Sequence, residues 1–494
     1  MNYESLLDKR EIIQLRLLKS LMLEEETESV QSMAKKLNVS KSSLENYIMD
    51  LDEILNKYHG DIQLIEEGTS LRLEMANGFS MSQVENDFYL NSTKYQIINY
   101  LFHHREFSPV FLSNELLVSE STLFRKIKEL NHSLKEFNIS IWQGRLIGEE
   151  AQIRYFYFQF YWYLKEARKD NLDQRETLYL KMFEKALGID FSFDSQKKIT
   201  LWLKITKKRL AVSQKDYKEL IKKCHAYERD PLYIQIREIT LRLIGHYAIE
   251  VEEEEGMLHF TFLISMSILS EEDFYEYSLL RSRFTPTALL DTVILESLLM
   301  YYKPLIVPRK LEKHLYFLLA QIHPRLYFFK GDIEVYHRDN IWQIESYLSG
   351  HSMRTLTDHL LKIAVKQFQL DGEESNSLLP ITEIKYLSIV VIMDSALKRD
   401  VTIGVSLEMD GLFKEATTNM LMVQLSSING VFCEPYKIGH EYDLILTNQT
   451  KNEWKGEVYV FSEIGTNYDF QKIKQTIRRI YAKKNNPILN RNLL

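Results

Sequence analysis

Cysteine is nearly absent from this 494-residue chain: Cys224 and Cys433 stand far apart and outside any CxxC spacing. That excludes a disulfide framework and a cysteine-based metal site. Nine prolines and 17 glycines leave little material for disordered linkers, so long helices are expected. No long apolar run occurs. The longest, around Tyr386 to Met393, is far below the roughly 20 residues a membrane span needs. The opening segment MNYESLLDKREIIQLRLLKS carries charges throughout and does not read as a secretory signal, so a cytoplasmic location without membrane contact is expected. A basic excess is missing as well. With a net charge of −7, any nucleic-acid contact must be confined to one face. Neither GxGxxG nor GxxxxGK[ST] is present, and Gly404 and Gly411 form no phosphate-binding fingerprint. No HExxH, Ser-His-Asp or metal-ligand pattern appears. The expectation is no catalytic residues, no cofactor, no metal and no enzyme.

What remains is the composition of a folded protein, 45% hydrophobic and 27% charged, with room for about three to five domains of roughly 100 to 150 residues each. The first 150 residues contain a repeat. LNVSKSSLENYIMDLD from Leu37 aligns without gaps on LLVSESTLFRKIKELN from Leu116, at an offset of 79 residues. In each copy an amphipathic helix ends near Leu37 or Leu116, a Val-Ser turn follows, and a Ser-rich start caps a second helix with apolar residues at i, i+4 and i+7. This is helix-turn-helix grammar. Ser42 and Glu45 have capping-box spacing. Leu6 to Leu23 and Thr93 to His104 read as leading helices. DIQLIEEGTSLRLEM and ISIWQGRLIGEE, alternating around Gly68 and Gly144, read as wings.

Two winged helix-turn-helix units point to double-stranded DNA as partner. In the second copy Arg125, Lys126 and Lys128 are expected on an exposed face between buried Leu123, Ile127 and Leu130, with Ser121 and Thr122 at the helix start. Arg145 at the wing tip is placed to touch a phosphate or the minor groove. The first copy offers Lys41, Ser43 and Asn46, but its acidic Glu45, Asp50, Asp52 and Glu53 predict weaker binding. The alternative is a repeated three-helix bundle used only for packing or protein contact.

From Ala151 to about Asp400 the chain reads as helical and aromatic-rich, beginning with IRYFYFQFYWYLKE, a stripe taken as core. Breaks are expected near Ser282 to Thr287 and in DGEESNS from Asp371. The acidic run Glu250 to Glu255 reads as a solvated loop. From Arg399 strands and helices alternate, as in a small parallel α/β domain.

The paired LxVSxS…L motifs and this order of parts resemble the Mga/AtxA-type virulence regulators of Gram-positive bacteria. The resemblance implies a mainly α, multidomain chain. It has two winged helix-turn-helix domains (1–78 and 79–150), two helical PTS-regulation-like bundles (151–281 and 282–398) and a C-terminal α/β enzyme IIB-like domain (399–494). It further implies a DNA-binding transcriptional regulator, usually an activator, that self-associates and links the sugar phosphotransferase system (PTS) to gene expression. A PTS phosphocarrier protein is then an implied partner. Of four phosphoacceptor positions that the family's bundles imply, only LEKHLYF supplies a histidine, His314; Trp202, Ile264 and Val390 stand at or near the others. His225, His246, His259 and His323 are substitutes. The turn after the first C-terminal strand, SLEMDG, lacks the cysteine on which an enzyme IIB accepts phosphate. The competing readings are a PTS-responsive RNA antiterminator or PTS component, and a self-associating scaffold that has lost DNA binding.

Overall fold

The computed structural model describes residues 1–23, 28–68, 70–164, 174–245, 252–302, 306–333, 351–370, 377–397, 400–428, 430–449, 454, 456–461 and 466–485. The break expected from Asp371 and the candidate His246 fall outside the described residues.

The first repeat comprises α1 (Lys9–Leu23), β1 (Glu28–Ser29), α2 (Val30–Lys36), α3 (Lys41–Leu55), β2 (Ile62–Glu67) and β3 (Ser70–Met75). Its three strands form an antiparallel sheet in the order β1-β3-β2. After α4 (Met81–Asn91) the second repeat follows: α5 (Thr93–His104), α6 (Pro109–Glu115), α7 (Glu120–Leu134), β4 (Ser140–Trp142) and β5 (Arg145–Ile147), the last two a hairpin. The backbone repeats at the same offset as the sequence. Asn38 and Leu117 both take φ of 55°, in the left-handed region, and His59 and Asn138 do so after the second helix, at 51° and 58°. Asn tolerates this geometry; Leu117 holds it at some steric cost.

The capping differs from the expected box. Ser40, not Ser42, is the N-cap of α3 and accepts from the Ser43 N–H at 3.1 Å; Ser42 and Glu45 lie inside the helix. Ser119 does the same for α7 through the Thr122 N–H at 3.2 Å. Each cap satisfies an amide that has no partner in the first turn.

The helical middle runs through α8 (Glu150–Tyr163), α9 (Gln174–Leu187), α10 (Phe193–Leu210), α11 (Lys218–Cys224), α12 (Pro231–Gly245), α13 (Glu254–Ser265), α14 (Glu271–Leu280), α15 (Pro286–Tyr301), α16 (Arg309–Ala320), α17 (His323–Phe328), α18 (His351–Gln367) and α19 (Leu378–Leu397). The expected break is the Arg281–Thr285 turn between α14 and α15. The aromatic stripe is core: every residue of α8 from Glu150 to Tyr161 is buried.

Of the acidic run, Glu250 lies outside the described residues and Glu252 and Glu253 are exposed ahead of α13, but Glu255 is not solvated. Glu255, in the first turn of α13, is fully buried and takes a bidentate ion pair from Arg154, at 2.6 and 2.7 Å. Arg154 also donates to Glu150 at 2.8 Å, and Glu150 receives Arg209. Burial alone would raise the Glu150 carboxyl, but the two guanidiniums overcome it and hold the group below the ordinary carboxylate range. Glu252 and Glu253 pair with Lys215 and Arg237. Consecutive acids in the sequence suggest water around them; their partners lie elsewhere in the fold.

The C-terminal part is the expected parallel α/β domain. β6 (Val401–Ser406), α20 (Gly411–Ser426), β7 (Val431–Pro435), β8 (Leu444–Thr447), β9 (Glu457–Val460) and α21 (Asn467–Asn485) give one sheet in the order β7-β6-β8-β9, parallel throughout. Val401, Ile403 and Val405 pack with Leu421, Leu425, Ile473 and Ile477 of the two helices. The Tyr442 ring lies over Gly404, where a Cβ would come within 3.1 Å.

The chain divides into two compact units. One comprises Met1–Asp291, Leu319–Gly350 and Leu361–Lys385; the other comprises Thr292–Leu318, His351–Leu360 and Tyr386–Leu494.

Removing one partner of a buried ion pair leaves a charge stranded in an apolar core. Arg154→Ala is therefore expected to lower the stability of the first unit by about 3–5 kcal/mol, read from its denaturant unfolding transition. Arg154→Met combined with Glu255→Gln should recover part of that stability. A single variant as stable as the parent would show that Glu255 is not held by this pair.

Candidate nucleic-acid interface

α3 and α7 are the helices that a helix-turn-helix offers to DNA, and their outward faces differ in charge. On α7, Leu123, Leu130 and Leu134 are buried, while Ser121, Phe124, Arg125 and Lys128 are exposed and Thr122 is half-buried. Neither Arg125 nor Lys128 forms an ion pair with any described residue. Both are free to meet phosphates or base edges. On α3 the exposed residues include Lys41, Glu45 and Asn46, with Ser43 half-buried. Lys41 is engaged by Glu45 one turn on, at 3.5 Å.

Lys126 corrects the expected face. It is buried, and its ammonium pairs with Asp8 just ahead of α1, while Ile127 is only half-buried. The inner stripe of α7 thus includes position 126, and its charge is tolerated because a carboxylate reaches it. Lys94, also buried, joins the same junction by donating to the Ser5 carbonyl at 2.8 Å and pairing with Glu129 at 2.7 Å. The two repeats therefore meet through polar groups contributed by both. Lys126 ties the modules together and is absent from the outward face of α7.

The second wing is a tight hairpin. Gln143 and Gly144 both have positive φ, the requirement of a two-residue I′ turn. Gly144 is also demanded by proximity, since a Cβ there would sit 2.1 Å from the Phe107 carbonyl oxygen. The Phe107 N–H donates to the Gly144 carbonyl at 3.0 Å, fastening the wing to the α5–α6 connection. At the tip Arg145 Nε donates to Glu106 at 2.6 Å, and both side chains are largely exposed. Trp142, the cross-strand partner of Arg145, is 64% exposed. Neither Trp142 nor Glu106 stands out in the repeat motif. Strict alternation in ISIWQGRLI would have found Trp142; nothing local points to Glu106.

The candidate histidines occupy different surroundings. His225 is well exposed on its turn and lies 2.8 Å from Glu228. His314 is half-buried on α16 with its ring near Phe317. His259 is buried beside Trp202, its Nδ1 3.0 Å from the Glu255 carbonyl, and burial pushes its pKa down to about 4. His323 is fully buried, 2.5 Å from Asp291, which Arg281 also engages. His259 and His323 are therefore hydrogen-bonded core groups and present no ring to solvent. Cys433 lies within β7, not in the turn after β6, and burial pushes its thiol up to about 12.

Among the described residues, no cluster of three or more His, Cys, Asp or Glu could hold a metal ion. No described helix is long and apolar enough to cross a membrane.

Residues 4–73 and 77–161 match the Mga helix-turn-helix domain, the region of both repeats. The resemblance drawn from the paired motifs therefore holds over this region. One curated relative, "Putative trans-acting regulator" of Streptococcus pneumoniae serotype 4, is 24% identical over 159 residues, 32% of this chain and 31% of the relative. A second, "Capsule synthesis positive regulator AcpB" of Bacillus anthracis, is 21% identical over 224 residues, 43% of this chain and 44% of the relative. The chain thus spans less than half the length of the curated relatives it matches. The matched domain and both names point to regulators and not to enzymes.

Proposed function

Proceeding from the Mga helix-turn-helix match, we propose that this chain is a DNA-binding transcription regulator, and that it acts as an activator. The observation that carries the reading is the free Arg125 and Lys128 pair on a capped, solvent-facing second helix, inside a domain of that family. The name of the Bacillus anthracis relative, a positive regulator, favours activation. The division at 78, 150, 281 and 398 into two winged domains, two PTS-regulation-like bundles and an enzyme IIB-like domain belongs to the same proposal, as does a cytoplasmic location.

Arg125→Ala with Lys128→Ala should weaken binding to a random-sequence duplex far more than Lys41→Ala with Asn46→Ala. It should also reduce the slope of log affinity against log salt by about two units, one for each phosphate that is no longer neutralised. Equal weakening by the two double variants would overturn this ranking of the helices.

Self-association through the C-terminal domain is the second part of the proposal, with another copy of the chain as the occupant. It is supported by α20, where Phe413, Met420 and Val423 form an exposed stripe beside exposed Leu412, although Leu421 and Leu425 are buried on the opposite side. An uncovered apolar helix face is costly in water and marks an interaction surface. Truncation at Arg399 should lower the mass seen by light scattering, and an unchanged mass would remove the idea.

The third part is a link to the PTS through His314, with His225 as the other accessible candidate. A phosphoryl group on half-buried His314 would add about two negative charges beside apolar neighbours, enough to shift packing by desolvation and repulsion. Transfer from purified enzyme I and phosphocarrier protein should label the parent and not His314→Ala. Equal labelling of both would make another histidine the acceptor, and labelling of neither would leave the bundles as scaffolds.

A further inference from the structure

The tip of the second wing carries its own competitor for DNA. Arg145 is the cation on the exposed edge of this hairpin, and Glu106 occupies it through Nε at 2.6 Å and through Nη2. The arrangement is built and not accidental. Glu106 and Arg145 form a backbone bridge, Phe107 is bonded to Gly144, and the turn residues have the geometry that fixes the hairpin. Arg105, the residue before Glu106, is held at φ of 70°, a conformation unfavourable for a residue with a side chain. Its guanidinium is anchored on the Ala211 carbonyl at 3.3 Å and its N–H on Leu101 at 2.9 Å. Strained backbone persists where surrounding structure over-determines it, and here it presents a carboxylate to the wing cation.

We infer that Glu106 is a specificity-determining residue for DNA: it stands in for a phosphate on Arg145 and lowers affinity for duplexes that offer no other contacts. The inference rests on the DNA-binding reading and adds a role that opposes binding. The pair is 64% and 58% exposed, so it is worth little in water and a phosphate can exchange into it. Once displaced, the carboxylate remains beside the anionic backbone. The wing therefore brings no net positive charge to a non-specific site, and binding there depends on Arg125 and Lys128. A specific site, with base contacts in the groove, offsets the same cost. This is discrimination by a repulsive element.

The test uses the full chain and a fluorescein-labelled random-sequence duplex, titrated by anisotropy across about 50 to 200 mM salt. Glu106→Gln should bind about three- to tenfold tighter at the low-salt end, with a slope of log affinity against log salt steeper by about one unit. The gain should disappear in the Glu106→Gln, Arg145→Ala double variant. Glu106→Ser removes the charge without adding an amide and should show the same shift. Matching thermal unfolding curves guard against misfolding. Unchanged affinity and slope in both single variants overturn the inference while leaving DNA binding intact. So does a gain that persists in full without Arg145, because Glu106 would then act as a bare negative charge. If the parent and all variants fail to bind the duplex at low salt, the DNA-binding reading itself falls and takes this inference with it.

Discussion

The buried ion pair between Arg154 and Glu255 is the constraint on which the packing around α8 depends. Most of the other buried side chains of α8 are aromatic, and a ring can replace another at modest cost, so rings alone fix the rotation of such a helix poorly. A fully buried guanidinium removes that freedom. Arg154 and Glu150 sit one turn apart on α8, and only one rotation of the helix presents the first to Glu255 on α13 and the second to Arg209 on α10. The wrong rotation would strand charges without partners, a penalty larger than any gain in packing. Because α8 starts three residues after the second wing ends, locking its rotation also locks the direction in which that wing leaves the bundle.

The connection between wing and bundle is reinforced from the other side. The segment from the end of α10 into α11 reaches back: the Asp216 carbonyl accepts the Glu150 N–H at 2.8 Å, the Leu220 N–H donates to the Glu149 carboxylate at 2.5 Å, and Ala211 holds Arg105. Lys215 and Tyr217 of the same segment bind Glu252, and Tyr217 also reaches Glu255. One short stretch thus touches the turn before the second helix-turn-helix, the strand exit of its wing and the acidic start of α13. The Glu149 carboxyl at this joint is pushed up to about 7 by burial, against the pull of the Leu220 N–H. A displacement of α13 cannot leave this segment undisturbed, since the buried charges must keep their partners.

Much of this architecture was legible in the sequence, and the failures share one cause. The repeat, the serine caps, the wings, the aromatic core and the parallel α/β end all follow from short-range pattern: period, turn residues and alternation. Lys126, Glu255 and the Ser42 box mislead because local pattern assigns charge to water and polar spacing to caps. Asp8 lies 118 residues from Lys126, and Arg154 lies 101 residues from Glu255. No window of sequence joins such pairs. The cap falls two residues earlier than the box spacing suggests because the run SKSS offers several serines, and only the backbone decides which has extended geometry; Ser40 does, at φ −71° and ψ 151°. Glu106 is silent in the sequence for the same reason as Asp8: its meaning depends on Arg145, brought beside it by the fold.

Charge pairing then constrains how the proposed DNA contact can work. Lys36, Lys41, Lys57 and Arg145 on the surface each face a carboxylate within the N-terminal modules. Such a surface attracts a polyanion weakly, because every paired cation that turns to a phosphate must abandon a partner and expose it to the same phosphates. Counterion release scales with the phosphates actually neutralised, so one module with Arg125 and Lys128 free supplies only a shallow, salt-sensitive attachment. Useful affinity must come from joining modules. The Lys126–Asp8 ion pair and the hydrogen bond from Lys94 to the Ser5 carbonyl already join the two repeats of one chain, so the second engages DNA at a high effective concentration once the first has bound. A second copy of the chain would extend the same arithmetic without requiring a more basic surface. A net charge of −7 and a DNA-binding role are then compatible, because affinity is assembled from several weak, positioned contacts and not from a positive coat.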